Sequence, residues 1–133
     1  MTDDTMTIGQ MCRAFDVTPR ALRFYEQKEL LNPIREGQNR FYTPRDRARL
    51  KLILRGKRFG FSLAEIRELL ELYRLGDGQV AQLSATLQAA GRHRADLVAK
   101  RDELSTAIAE LEAQMDLIRQ MLAERSTTHR AAE

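Results

Sequence analysis

From Leu83 to Leu122 apolar residues recur at alternating spacings of three and four, and no proline interrupts them. With Leu83 at heptad position d, the d series is Leu83, Ala90, Leu97, Leu104, Leu111 and Ile118. The a series is Leu87, Arg94, Arg101, Ile108, Met115 and Leu122. Ten of these twelve positions are apolar, sustained over more than five heptads, which is the pattern of a coiled coil. At about 1.5 Å per residue such a helix is roughly 60 Å long. A front part of about 75 residues is marginal alone and too small to cover a rod of that length. The seam therefore calls for a partner, and an identical chain is the simplest one. Packing within the chain is the alternative.

The two arginines at a positions bear on orientation. In a parallel in-register pair, Arg94 would face Arg94 and Arg101 would face Arg101, two like-charge layers in succession. An antiparallel pair sets each arginine against a different layer, where its stem can snorkel outward. An antiparallel homodimer is expected, with Leu83, Leu87, Leu97, Leu104, Ile108, Leu111, Met115, Ile118 and Leu122 at the dimer seam.

The front of the chain is punctuated by helix starts. Residues before Thr7 are expected to fray. Thr7 and Gln10 have capping-box spacing, and Ile8, Met11, Cys12 and Phe15 then form one apolar face. Asp16-Val17-Thr18 turns into a second helix, with Thr18 as cap and Pro19 in the first turn. On that helix Ala21, Leu22 and Tyr25 share one side, while Arg20, Arg23, Phe24 and Gln27 share the other. Two guanidiniums, an aromatic ring and an amide on an exposed face suit a helix lying in a DNA major groove. Two short helices joined by a tight turn make a helix-turn-helix.

Asn32-Pro33 closes this unit. Ile34 to Tyr42, turning around Gly37, reads as a β-hairpin carrying Arg35, Arg40 and Tyr42. After a helix-turn-helix such a hairpin is a wing, and a basic wing contacts phosphates or the minor groove; a plain surface loop is the alternative. Thr43-Pro44-Arg45-Asp46 starts a basic third helix with Leu50, Ile53 and Leu54 inward, ending at Gly60. Ser62 and Glu65 form another capping box, and Leu63, Ile66, Leu69, Leu70 and Tyr73 give the fourth helix its apolar face. Gly76-Asp77-Gly78 breaks the pattern.

The expected architecture is thus mainly α: a winged helix-turn-helix domain over 6–76, a long C-terminal dimerisation helix over 79–124, and a polar, disordered tail over 125–133. Residues 1–75 hold 15 Lys/Arg against 10 Asp/Glu, and residues 76–133 hold 7 against 9. The front therefore favours an anionic partner. The acidic N-terminus is no signal peptide and no apolar run reaches the roughly 18 residues of a membrane span, so a cytoplasmic protein without membrane contact is expected. The single cysteine, Cys12, rules out an internal disulfide and reads as a small buried residue. There is no glycine-rich phosphate loop, no Cys-x-x-Cys and no His-Glu-x-x-His. His93 and His129 have no cysteine nearby in sequence. No catalytic residue, metal site or cofactor is expected, and an enzyme is disfavoured.

Several elements resemble the MerR family of bacterial transcription regulators. They are Thr7-Ile8-Gly9, Thr18 through Glu26, Leu30-Leu31-Asn32-Pro33, Arg40-Phe41-Tyr42-Thr43 and Gly60-Phe61-Ser62-Leu63-Ala64-Glu65-Ile66. The resemblance covers about residues 6–122. It implies a dimer on a palindromic promoter element, bending and untwisting an overlong spacer between the −35 and −10 elements. RNA polymerase is then engaged indirectly, through the shape of the DNA.

Carried over by position, Arg20 and Arg23 resemble the pair that reads the groove; from the exposed face and the cap of the same helix, Phe24 and Thr18 join them as candidate DNA-binding residues. Tyr25 resembles a phosphate contact, although its place on the helix turns it inward. Arg40 and Tyr42 resemble wing contacts, and Lys57 or Arg58 a basic contact between the third and fourth helices. Asn39 stands where an aromatic often precedes the arginine of the wing. Metal-sensing members keep cysteines at the far end of the coil, and none is present there. Drug-sensing members append a ligand domain, whereas this chain stops soon after the coil. An effector is expected either between coil and DNA-binding unit or not at all, and its identity is unknown. The run from Arg49 to Ile66 resembles a subgroup linked to branched-chain amino acid and acyl-CoA breakdown. Two other readings stay open: a coiled-coil adaptor whose winged domain binds protein, and a simple repressor without promoter remodelling.

Overall fold

The computed structural model describes residues 4–75 and 80–132. Along the chain run β1 (Met6–Thr7), α1 (Ile8–Phe15), α2 (Pro19–Gln27), β2 (Ile34–Glu36), β3 (Asn39–Tyr42), α3 (Pro44–Phe59), α4 (Leu63–Leu75) and α5 (Val80–Ala132). The mainly helical, winged helix-turn-helix architecture expected from the sequence is present.

Each helix begins where its side chains can replace missing backbone partners. Thr7 accepts from the Gln10 amide at 3.2 Å while Gln10 accepts from the Thr7 amide at 2.9 Å. Thr18 accepts from the Ala21 amide at 3.1 Å, with Pro19 opening α2. Thr43 and Asp46 form the reciprocal pair at the start of α3, and Ser62 and Glu65 the pair at the start of α4. Asp46 is 3% exposed and does more than cap: its Oδ1 accepts from the Asn32 amide at 3.0 Å, tying the chain after α2 to the start of α3. Gly60 ends α3 at φ +89°, a left-handed conformation that suits glycine.

The hairpin turns at Gly37, and β3 lies between β1 and β2 in an antiparallel sheet. Ile34 pairs with Phe41, and Met6 pairs with Tyr42. The sequence places a frayed end up to Met6, and the structure corrects this. The free edge of β3 takes Met6 and Thr7 as a third strand, a pairing no local pattern encodes.

The core gathers Met11, Leu22, Tyr25, Leu30, Leu31, Tyr42, Leu50, Ile53, Ile66 and Leu70. The third and fourth helices meet closely at Gly56, where a Cβ would lie 2.9 Å from Cγ1 of Ile66. Leu63 departs from its expected inward place. As the first residue of α4 it precedes the packed turns and is exposed. The expected break at Gly76-Asp77-Gly78 lies outside the described residues.

Two compact units divide between His93 and Arg94. The first runs to His93. It takes in the start of α5, where Gln82, Thr86, Ala89, Ala90 and His93 are the more covered residues. His93 Nε2 lies 3.0 Å from Oε1 of Glu65, and its ring lies against Phe61 with centroids 4.9 Å apart and planes tilted by 35°. The second unit, 94–133, is helical through Ala132 where described. Residues 125–132, expected as part of a disordered tail, continue this helix. No glycine or proline follows Leu122, and the Thr127 and Thr128 hydroxyls donate to carbonyls four residues back at 2.9 Å.

Candidate nucleic-acid interface

The second helix has two unlike sides. Leu22 and Tyr25 are buried, while Arg20, Arg23, Phe24 and Gln27 are exposed. Pattern and structure agree here because the inward side is anchored by the core. Thr18 caps the helix as acceptor, so its hydroxyl hydrogen remains available to donate outward. Phe24 keeps 40% of its surface exposed; its ring meets Tyr25 edge-on at 5.7 Å, and Lys28 Nζ lies 5.7 Å from its centroid.

Glu26, the one acid of α2, joins this helix to the wing. Its Oε1 accepts from Arg35 of β2, through Nε at 2.8 Å and also through Nη2, and its Oε2 accepts from Arg40 Nε at 2.6 Å. Burial pushes the Glu26 carboxyl upward, but the two guanidiniums outweigh it and hold the group below its ordinary value of 4.5. The end of α2 is gripped as well. Arg67 Nη2 donates to the Lys28 carbonyl at 2.6 Å, and Arg49 Nε to the Leu30 carbonyl at 2.7 Å. Burial lowers the pKa of Arg49. These bonds fix the angle at which α2 presents its arginines.

An open groove of about 990 Å³ runs between α2, the wing, α3 and α4, lined by Arg23, Arg35, Arg40, Arg45 and Arg49 and also by the acids Glu26, Glu29, Asp46 and Glu71. The structure thus brings Arg23 and Arg40 to one concave surface. Thr18, Arg20, Lys57 and Arg58 do not line it. Lys57 and Arg58 stand exposed on the last turn of α3, and Arg58 borders a separate hollow with Leu54, Arg55 and Phe59.

One expected contact is corrected. Tyr42 is fully covered within the core, hydroxyl included, so it offers no contact to a ligand. The ring of Tyr25 packs in the core as well, with 2% of the residue exposed. Tyr42 is drawn in because its strand end pairs with Met6 beneath the wing. Burial raises the pKa of its hydroxyl, which has no hydrogen-bond partner among the described residues. Arg40 is exposed only in part and braces the wing through Glu26. Sequence reasoning missed Glu26, Arg49 and Arg67. Only the first left a signal, as a lone acid among the cations of α2.

The seam residues Leu83, Leu87, Leu97, Leu104, Ile108, Leu111, Met115, Ile118 and Leu122 are all exposed in the single chain, by 41% to 74%. No helix among the described residues is long and apolar enough to cross a membrane.

Comparison with known proteins bears on this geometry. The profile described as MerR HTH family regulatory protein matches residues 6–72, and that described as MerR, DNA binding matches residues 47–114. The HTH-type transcriptional regulator ZntR of Escherichia coli is 42% identical over 67 residues, covering 49% of this chain and 48% of ZntR. The chain thus aligns with about half the length of that relative. An uncharacterized HTH-type transcriptional regulator of Pseudomonas aeruginosa is 38% identical over 104 residues, 76% of each chain. Among solved structures, HiNmlR, a MerR family regulator lacking the sensor domain and bound to promoter DNA, superposes with a TM-score of 0.60 at 25% identity, covering 74% of this chain and 76% of that one. PbrR691 from Ralstonia metallidurans, in complex with lead(II), gives 0.58 at 34% identity over 86% of each chain.

Proposed function

This chain belongs to the MerR family of helix-turn-helix regulators, and from that premise we propose that it binds promoter DNA as a homodimer and regulates transcription. One observation carries the reading: α2 is anchored by Leu22 and Tyr25, braced to the wing through Glu26, and left with Arg20, Arg23, Phe24 and Gln27 facing out. Such a face fits a major groove, where arginine pairs with guanine and glutamine with adenine. Thr18, Lys57 and Arg58 serve as phosphate contacts, which position the protein without reading sequence. Arg40 holds the wing against α2 through Glu26.

The exposed seam from Leu97 to Leu122 supports pairing with a second copy, since large exposed apolar stripes mark interaction surfaces. The pair is antiparallel, because Arg94 and Arg101 at seam positions would otherwise meet their own copies. Two α2 helices held by such a dimer read two half-sites of a palindrome. The family likeness supports distortion of the spacer between −35 and −10, so that polymerase engages both elements through the altered shape of the DNA.

Binding of the full chain to promoter duplexes across a salt series tests the reading. A log–log slope that steepens by about 0.9 for each phosphate contact is expected. Salt-insensitive or absent binding points instead to an adaptor.

A further inference from the structure

We propose that Phe24 reads thymine, packing its ring on the 5-methyl group in the major groove. The assignment rests on α2 being the groove reader. Phe24 stands on the outward face between Arg20, four residues before, and Gln27, three residues after, so the three side chains form one row along the helix. The ring has no hydroxyl and no charge, and so offers nothing to a phosphate oxygen. On the major-groove edges of the base pairs, the thymine methyl is the one apolar group.

The ring is also positioned in advance. Tyr25 holds its edge at 5.7 Å and 60°, and the Lys28 ammonium lies over it at 5.7 Å, yet 40% of the residue stays open. A solubilising surface position gains nothing from an exposed phenyl group. A row of arginine, phenylalanine and glutamine has a matching row of guanine, thymine and adenine, so Phe24 supplies the apolar letter of the recognition.

The test uses the full chain and a synthetic duplex selected by it from a randomised pool. The selected duplex is remade with deoxyuridine replacing each thymine in turn, which deletes only the methyl. We expect one thymine in each half-site whose replacement weakens binding about fourfold, the effect of one buried methyl group. Phe24→Ala should bind the thymine and uracil duplexes equally, and Phe24→Leu should keep part of the preference. Thermal melts of both variants check that the exposed substitution leaves the fold intact. If a preferred sequence emerges but no uracil replacement matters, or if the methyl effect survives Phe24→Ala, the assignment fails while α2 remains a groove reader. If the pool yields no preferred sequence at all, the reading of α2 fails and Phe24 with it.

Discussion

Arg40 in β3 donates its Nε to Oε2 of Glu26 in α2 at 2.6 Å. With Arg35 on the other oxygen, a single carboxylate binds both arms of the wing to the helix that faces DNA. The brace sets the wing's position before any ligand arrives, which lowers the ordering cost of binding.

Glu26→Gln should therefore lower stability by about 1–2 kcal/mol at neutral pH, a figure discounted because Arg35 is largely exposed. The carboxyl is depressed in the folded chain, so its contribution is present above its ordinary value of 4.5 and is lost as pH falls through the lower folded value. Urea melts of both proteins from pH 7 down to 3 check this. The gap should close at the acid end; a gap that stays constant means the brace contributes nothing through charge.

Arg23 and Lys57 should fail in different ways. Arg23→Ala is expected to lose about 1–3 kcal/mol on the preferred site and little on random duplex. Lys57→Ala should weaken both alike and flatten the salt slope by about 0.9. Titrations against both duplexes at several salt concentrations separate the two roles.

The positions that cap and turn were legible because they are local. Thr7, Thr18, Thr43 and Ser62 each meet a partner three residues on, a relation visible in the one-dimensional string. The outward and inward sides of α2 were legible for the same reason. What escaped depends on distant segments. Met6 becomes a strand only because β3 has a free edge. Tyr42 is covered because that strand end reaches the core, and Glu26 matters because β2 and β3 fold beside it. His93, a seemingly isolated coil residue, meets Glu65 across 28 positions of sequence.

Glu29 follows α2 with φ at 62°, where a side chain is strained and glycine is not. Glu29→Gly should raise stability by about 1 kcal/mol. Thermal unfolding reads it directly, and an unchanged or lowered midpoint would show that the glutamate side chain offsets the strain.

Gly56→Ala should do the reverse, although alanine favours helix. The added methyl meets Ile66 Cγ1 at 2.9 Å, an inner atom that cannot swing away, so a net loss of about 1 kcal/mol or more is expected. Ile66→Ala is destabilising by itself, but in its presence the glycine replacement should turn neutral or favourable. A double-mutant cycle by denaturant melts measures this coupling, and strict additivity would place the contact elsewhere.

The most direct test of the whole account is the stoichiometry and symmetry of the protein–DNA complex. Sedimentation equilibrium of the full chain with its selected duplex, joined to footprinting of the same complex, should show two chains per duplex and a protected region with a two-fold axis. Leu111→Asp, which charges the exposed seam, should abolish both. One chain per duplex with an unsymmetrical footprint, unaffected by Leu111→Asp, would contradict the account.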